Sequence, residues 1–238
     1  GNAGTSVPLQ YYNGTTWVDY TPNSYVTIPA GGATLLVRTA ITQDAAYEGA
    51  ETFKLVATNT GGTPAEGTGT IKDDGTGDIY KYPPNGGPTP LPPTDPSYPV
   101  LDDDRPLSVN SITVNEASPY AVFTVSGYSG QIVTLALNSQ SATVGTDTGN
   151  TPSGGALEYY NGSNWVGYTP ASNITLSGST LLVRTAITND TTFEGQEAFN
   201  LAVTKVSNSK TVYGTGNIYD DGTGDVYLAS NTSGTKDT

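Results

Sequence analysis

Apolar and polar residues alternate with a period of two along most of this chain. Leu35, Val37 and Ile41 alternate with Arg38 and Thr42, and Phe53, Leu55 and Ala57 alternate with Thr52 and Lys54. Such alternation predicts half-buried strands. The pattern returns almost unchanged from Thr180 to Thr188 and again at Glu197, Phe199 and Leu201. Three further alternating runs, Ile112 with Val114, Ala121 to Val125 and Val133 to Leu137, have no counterpart earlier in the chain. Asn13-Gly14 and Asn161-Gly162 each lie between aromatic-rich runs and predict hairpin turns that need positive φ. No stretch shows helical periodicity, and Gly, Pro and Thr punctuate the runs as turns do.

The recurrence organises the chain into two copies of one unit. Gly1-Asn2 aligns with Gly149-Asn150, Trp17 with Trp165, and Tyr20-Thr21-Pro22 with Tyr168-Thr169-Pro170. The copies close with Asp73-Asp74-Gly75 and Asp220-Asp221-Gly222. We therefore expect a partial copy at residues 1–82 and a Pro- and Asp-rich linker at 83–106. A complete copy follows at 107–227 and a polar tail at 228–238. A stretch with this much proline is a stiff, extended spacer. At about seven strands, the complete copy has the size of an immunoglobulin-like sandwich. The first copy lacks its opening strands, which leaves open edges and an uncovered apolar face. A neighbouring chain that supplied those strands would generate a head-to-tail filament.

Composition narrows the chemistry. Nine basic residues against 22 acidic ones give a net charge of −13, which argues against nucleic acid as a partner. The chain has no His and no Cys. It therefore lacks the commonest general base and thiolate metal sites, and it needs no oxidative folding. No apolar run is long enough to span a membrane. With no Met, even at residue 1, the chain reads as a processed piece or an excerpt.

The sharpest chemical signal is a loop of carboxylates between two predicted strands. It carries Asp44, Glu48 and Glu51 in the first copy and Asp190, Glu194 and Glu197 in the second. Crowded carboxylates repel unless a cation or basic groups neutralise them, and hard cations take oxygen ligands from several loops. The competing reading is solvated turn residues. Paired carboxylates also serve glycosidases, but no substrate cleft is indicated and an enzyme is not expected. Trp17 and Trp165 with their neighbouring tyrosines could stack on sugars, although cross-strand aromatic pairing on a hairpin is the simpler account. Arg38 and Arg184 sit mid-strand and point to cross-strand ion pairs.

The second copy resembles a Calx-β domain along most of residues 107–225, through Ser108 to Glu116, Ser141 to Asp147, the Asp190 to Leu201 run and Ile218 to Asp221. The resemblance implies all-β, immunoglobulin-like Calx-β sandwiches in tandem, the first copy lacking its opening strands. It also implies calcium at one end of the sandwich. Carried over, the ligands are Glu116, Asp147, Asp190, Glu194, Glu197, Asp220 and Asp221. Asp44, Glu48, Glu51, Asp73 and Asp74 survive in the first copy. Asp102, Asp103 and Asp104 are placed beside Glu116 at a calcium-stiffened junction. Gln43 and Asn189 stand where the family often has Asp, which implies fewer or weaker ions. The role implied is a secreted, extracellular structural repeat of a bacterial fibre, sheath or adhesin stalk. The alternative is a polysaccharide-binding or cell-surface-binding module.

Overall fold

The computed structural model describes residues 9–28, 34–80 and 89–237. The chain is all-β among these residues and divides into two units, the first ending at Asp104 and the second starting at Arg105. The aligned start at Gly1-Asn2 and the prolines at 83, 84 and 88 lie outside the described residues.

Unit 1 contains β1 (Gln10–Tyr12), β2 (Trp17–Asp19), β3 (Val37–Arg38), β4 (Glu51–Ala57) and β5 (Ala65–Ile71). They form a three-stranded sheet, β2-β1-β3, and a separate antiparallel pair, β4-β5. No apolar side chain described in this unit is fully buried; Asp73 and Asp103 are its buried residues. Residues 89–104, read from composition as linker, lie within this unit. The Leu91 N–H donates to the Ile79 carbonyl, the Gly75 N–H donates to the Asp102 carbonyl, and Asp103 forms a bridge with Asp74.

Unit 2 contains β6 (Ser108–Val109), β7 (Ile112–Asn115), β8 (Tyr120–Ser126), β9 (Ile132–Ser139) and β10 (Glu158–Tyr160). It continues with β11 (Trp165–Gly167), β12 (Ile174–Thr175), β13 (Thr180–Ala186), β14 (Gln196–Lys205) and β15 (Thr211–Tyr219). Two five-stranded sheets result, β11-β10-β13-β8-β6 and β12-β9-β14-β15-β7. Phe123 and Phe199 meet edge to face at 5.8 Å, and both are fully buried with Val125, Val183, Leu201 and Val203. Each such side chain removed from water contributes roughly 1.5–3 kcal/mol, which makes this the core. Short strands such as β6 and β12, two residues each, raise the count above the seven expected.

Identical sequence behaves differently in the two units. Thr180 to Ala186 forms a seven-residue strand because β8 pairs with every residue of it. The same motif in unit 1 forms only Val37–Arg38, paired with β1 on one side. Backbone amides without a partner strand are left to water, and the ladder stops.

Residues 228–237, read as a polar tail, fold back onto unit 2. Trp165 Nε1 donates to the Asn231 carbonyl at 3.0 Å and Arg184 donates to the Ala229 carbonyl at 2.9 Å. Asp237 accepts from the Leu228 N–H at 2.8 Å and from Asn231 Nδ2 at 2.8 Å. A polar sequence can pack when its hydrogen bonds close on themselves in this way.

Candidate metal centre

One end of unit 2 gathers carboxylates from separate strand ends. Glu116 follows β7, Asp147 lies between β9 and β10, and Asp190 and Glu194 sit between β13 and β14. Glu197 is on β14 and Asp220 follows β15. These six acids line one small pocket with Thr188, Gly195 and Ile218, and no basic side chain lines it. Carboxylate oxygens of Glu116, Asp190 and Glu194 approach within 4.8 Å of one another, as do those of Asp147, Glu194 and Glu197. Glu194 belongs to both triads.

Backbone bonds hold the pocket in place. The Asp190 N–H donates to Glu116 Oε1 at 3.2 Å, and the Thr192 N–H donates to Asp190 Oδ1 at 2.6 Å. Asp147 Oδ2 accepts the Thr143 N–H at 2.6 Å, and its carbonyl accepts the Thr188 N–H at 2.9 Å. Positive φ at Gly195 makes the turn between Glu194 and Glu197.

The electrostatics follow from this crowding. Burial raises the Glu116 pKa first; the bond from the Asp190 N–H offsets part of this, and the adjacent Asp220 carboxyl and the charges of Asp220 and Asp190 raise it further. Burial followed by the charges of Asp147, Asp190 and Asp220 raises Glu194, and burial followed by Asp147, Glu194, Glu116 and Asp190 raises Glu197. Desolvation and like charges both disfavour the ionised forms. A cation in the pocket reverses both effects. The donors are hard oxygens, the chemistry that calcium-like cations take.

Not every residue carried over from the resemblance enters this pocket. Asp221 turns away and accepts both the N–H and the hydroxyl of Thr223, which lowers its pKa. Asp74 makes the same turn with Thr76, and Asp44 accepts the Ala46 N–H at 2.9 Å. These carboxylates act as turn caps. Asp102, Asp103 and Asp104, expected at a junction beside Glu116, fall within unit 1. There Asp73, Asp102 and Asp104 bring oxygens within 4.8 Å of one another, and Asp73 accepts the Asp104 N–H at 3.3 Å. The Glu48 N–H donates to Asp73 Oδ2 at 3.2 Å, while Glu51 opens β4. Asp102 is raised by burial and then by Asp104 and Asp73. Sequence reading missed Thr188, Gly195 and Ile218, which reach the pocket wall only because adjacent strands end together.

The aromatic hairpins are packed. Tyr160 pairs in register with Trp165, their rings 5.5 Å apart, and Tyr12 with Trp17 repeats the arrangement. The Arg184 guanidinium stacks 3.9 Å from the Tyr120 ring and 4.2 Å from the Trp165 ring. It also bonds Glu158 across the sheet at 2.7 Å, both side chains being buried. With its N–H given to Asn231 and one face to an arginine, Trp165 belongs to the packing. This removes the sugar-stacking platform on which the polysaccharide alternative rested.

No family model and no curated protein matches the chain. Among solved structures it is similar to the Pseudomonas aeruginosa CupB2 chaperone at 12% identity, covering 47% of this chain and 53% of that one, with a TM-score of 0.30. It is also similar to the E. coli chaperone DraB at 12% identity, covering 49% and 55%, with a TM-score of 0.32. The M1 domain from titin shares 8% identity over 50% of this chain and 95% of that one, with a TM-score of 0.22. The match spans about half the length of the two chaperones. The Calx-β resemblance is corrected accordingly: no family model carries it, and the similar structures are two chaperones and a titin domain rather than Calx-β repeats. The roles of fibre, sheath or adhesin repeat and of polysaccharide module fall with it. The physical reason is that alternating strands closed by Asp-Gly turns serve many sandwiches and single out no family. Calcium loses its family warrant and rests from here on the geometry of the carboxylates. At these TM-scores the likenesses assign this chain no function. Among the described residues no helix is long and apolar enough to cross a membrane.

Proposed function

We propose that unit 2 is an immunoglobulin-like β-sandwich whose acidic pocket binds a hard divalent cation of the calcium class. The observation that supports this reading is the convergence of Glu116, Asp147, Asp190, Glu194, Glu197 and Asp220 on one pocket without a basic group in its wall. Glu116 is only 8% exposed. Holding a carboxyl there against Asp220 costs free energy that a bound cation would return. The residues that would hold the ion are drawn from the six acids of the pocket, Asp220 and the two triads, with Glu194 common to both triads. When bound, the ion would supply charge neutralisation, and no reaction is assigned to the pocket. Part of the pocket is open to solvent, which fits a site of modest affinity in a compartment rich in calcium, outside the cell.

Titration calorimetry with calcium, paired with thermal unfolding in calcium and in chelator, tests the reading. Binding that raises the midpoint of unit 2 is the expected result, because a ligand of the native state stabilises it by mass action. Absence of heat together with equal midpoints would demote the six acids to surface charge.

A further inference from the structure

The two ends of unit 2 meet in one parallel ladder. β7, its second strand, pairs with β15, its last, through Ile112 with Gly216, Thr113 with Asn217, Val114 with Ile218 and Asn115 with Tyr219. Beyond the ladder the Glu116 N–H donates to the Tyr219 carbonyl at 2.9 Å. On its other side β7 is held by Asp225, whose N–H donates to Thr113 at 3.1 Å and whose carbonyl accepts from Asn115 at 2.9 Å. Asn115 Nδ2 adds a bond to the Thr223 carbonyl at 2.7 Å. Gly224 is required here, since a Cβ would lie 2.5 Å from the Asn115 nitrogen. Ile112 and Val114 are buried beneath the ladder.

We infer that β7 and β15 of unit 2 form a shear clamp that resists extension of the chain, and that the acidic pocket regulates it. Chain enters unit 2 from unit 1 at Arg105 and leaves β15 at Tyr219. Tension along the chain therefore enters the ladder at Ile112 and leaves it at Tyr219, its opposite end. In a parallel pair loaded this way the evenly spaced bonds share the force and must fail together. Strands pulled apart from one end instead lose their bonds singly. The two-residue β6 and the segment after Asp225 yield first, and the ladder then carries the load.

The regulation rests on the cation reading above. Glu116 immediately follows β7 and Asp220 immediately follows β15, and both line the pocket. A cation held by both ties the second strand to the last at the Tyr219 end, where tension leaves β15. Without it the same two carboxyls face each other across the strand ends.

Single-molecule pulling on the full chain decides between these accounts. The chain has no Cys, so attachment points can be introduced singly. One geometry pulls from the two termini, and unit 2 is identified by a length gain of about 40 nm at roughly 3.5 Å per residue. The second pulls between Ser129→Cys and Ser179→Cys, exposed positions beside the Ser126–Thr180 end of the antiparallel β8–β13 pair. Rupture is expected at several-fold higher force from the termini than from the Ser129 and Ser179 positions. Calcium should raise the first force, leave the second nearly unchanged, and lose its effect in Asp220→Asn. Equal forces in the two geometries overturn the clamp. Calcium binding by calorimetry without a rise in force overturns the regulation and leaves the cation reading standing. No binding at all overturns that reading and the regulation together, while the comparison of geometries still decides the clamp.

Discussion

A buried carboxyl pressed against another is the least comfortable group in unit 2, and it defines what single substitutions should do. Glu116→Gln removes one charge and keeps the shape, so in chelator the variant should melt at least as high as the parent. In calcium it should lose most of the ion-dependent rise, and thermal unfolding in the two buffers reads both effects. Arg184 presents the opposite case. Its guanidinium is sandwiched between Tyr120 and Trp165 and bonded to Glu158, so Arg184→Met strands a buried carboxylate. We expect a loss of roughly 3–5 kcal/mol in denaturant unfolding. The double variant Arg184→Met with Glu158→Met should recover much of that loss. A double variant no better than the single one would show that the stacking, not the ion pair, holds the site.

Strands, rather than residues, explain why one unit has a core and the other does not. Phe199 lies fully buried on Gly216, and Phe53 lies over Gly69 at the matching position of unit 1. Leu201 is fully buried, whereas its counterpart Leu55 is 36% exposed. The difference is β9, which flanks β14 and has no equivalent beside β4 among the described residues. Phe199→Ala should therefore cost about 3–5 kcal/mol, and Phe53→Ala less than half of that, measured by denaturant unfolding of the full chain. Hydrogen exchange should show the same asymmetry. Amides of Leu181 to Thr185, paired with β8, should be protected, and those of Leu35 to Thr39 should exchange early.

At the scale of the molecule, acidity and ion supply act on the same balance. Glu116, Glu194 and Glu197 have raised pKa values in the folded state. Between their ordinary and raised values the folded chain keeps protons that the unfolded chain has lost. Stability without an ion therefore falls as pH rises through the raised values. Asp221 and Asp237 are lowered by their hydrogen bonds, so their contribution is lost only as pH falls through those lower values. From these groups alone, chelated protein should thus melt highest near the ordinary carboxylate range, about pH 4, and saturating calcium should shift that optimum toward neutral pH. Differential scanning calorimetry across pH, with and without calcium, measures both. An optimum that does not move with calcium would count against the pocket as its binding site.

The alternation of side chains was enough to specify an all-β chain, the positions of the unit 2 core and aromatic pairing across the hairpin that carries Trp165. Those features are local: a period of two and an Asn-Gly turn set which face is apolar and which residues oppose each other. The same pattern pointed to a cross-strand ion pair for Arg184, and the structure supplied Glu158 as its partner. The pattern did not single out a family, because Asp and Gly at turns are dictated by backbone geometry in many sandwiches. Nor could it separate Asp220, which enters the pocket, from Asp221, which caps its own turn one residue later. That choice depends on where β7, β13 and β15 end relative to one another. Tertiary structure alone decided that the motif around Val183 is a long strand while its twin around Val37 is two residues. A strand is stabilised by the partner that takes its hydrogen bonds, and among the described residues only unit 2 contains that partner.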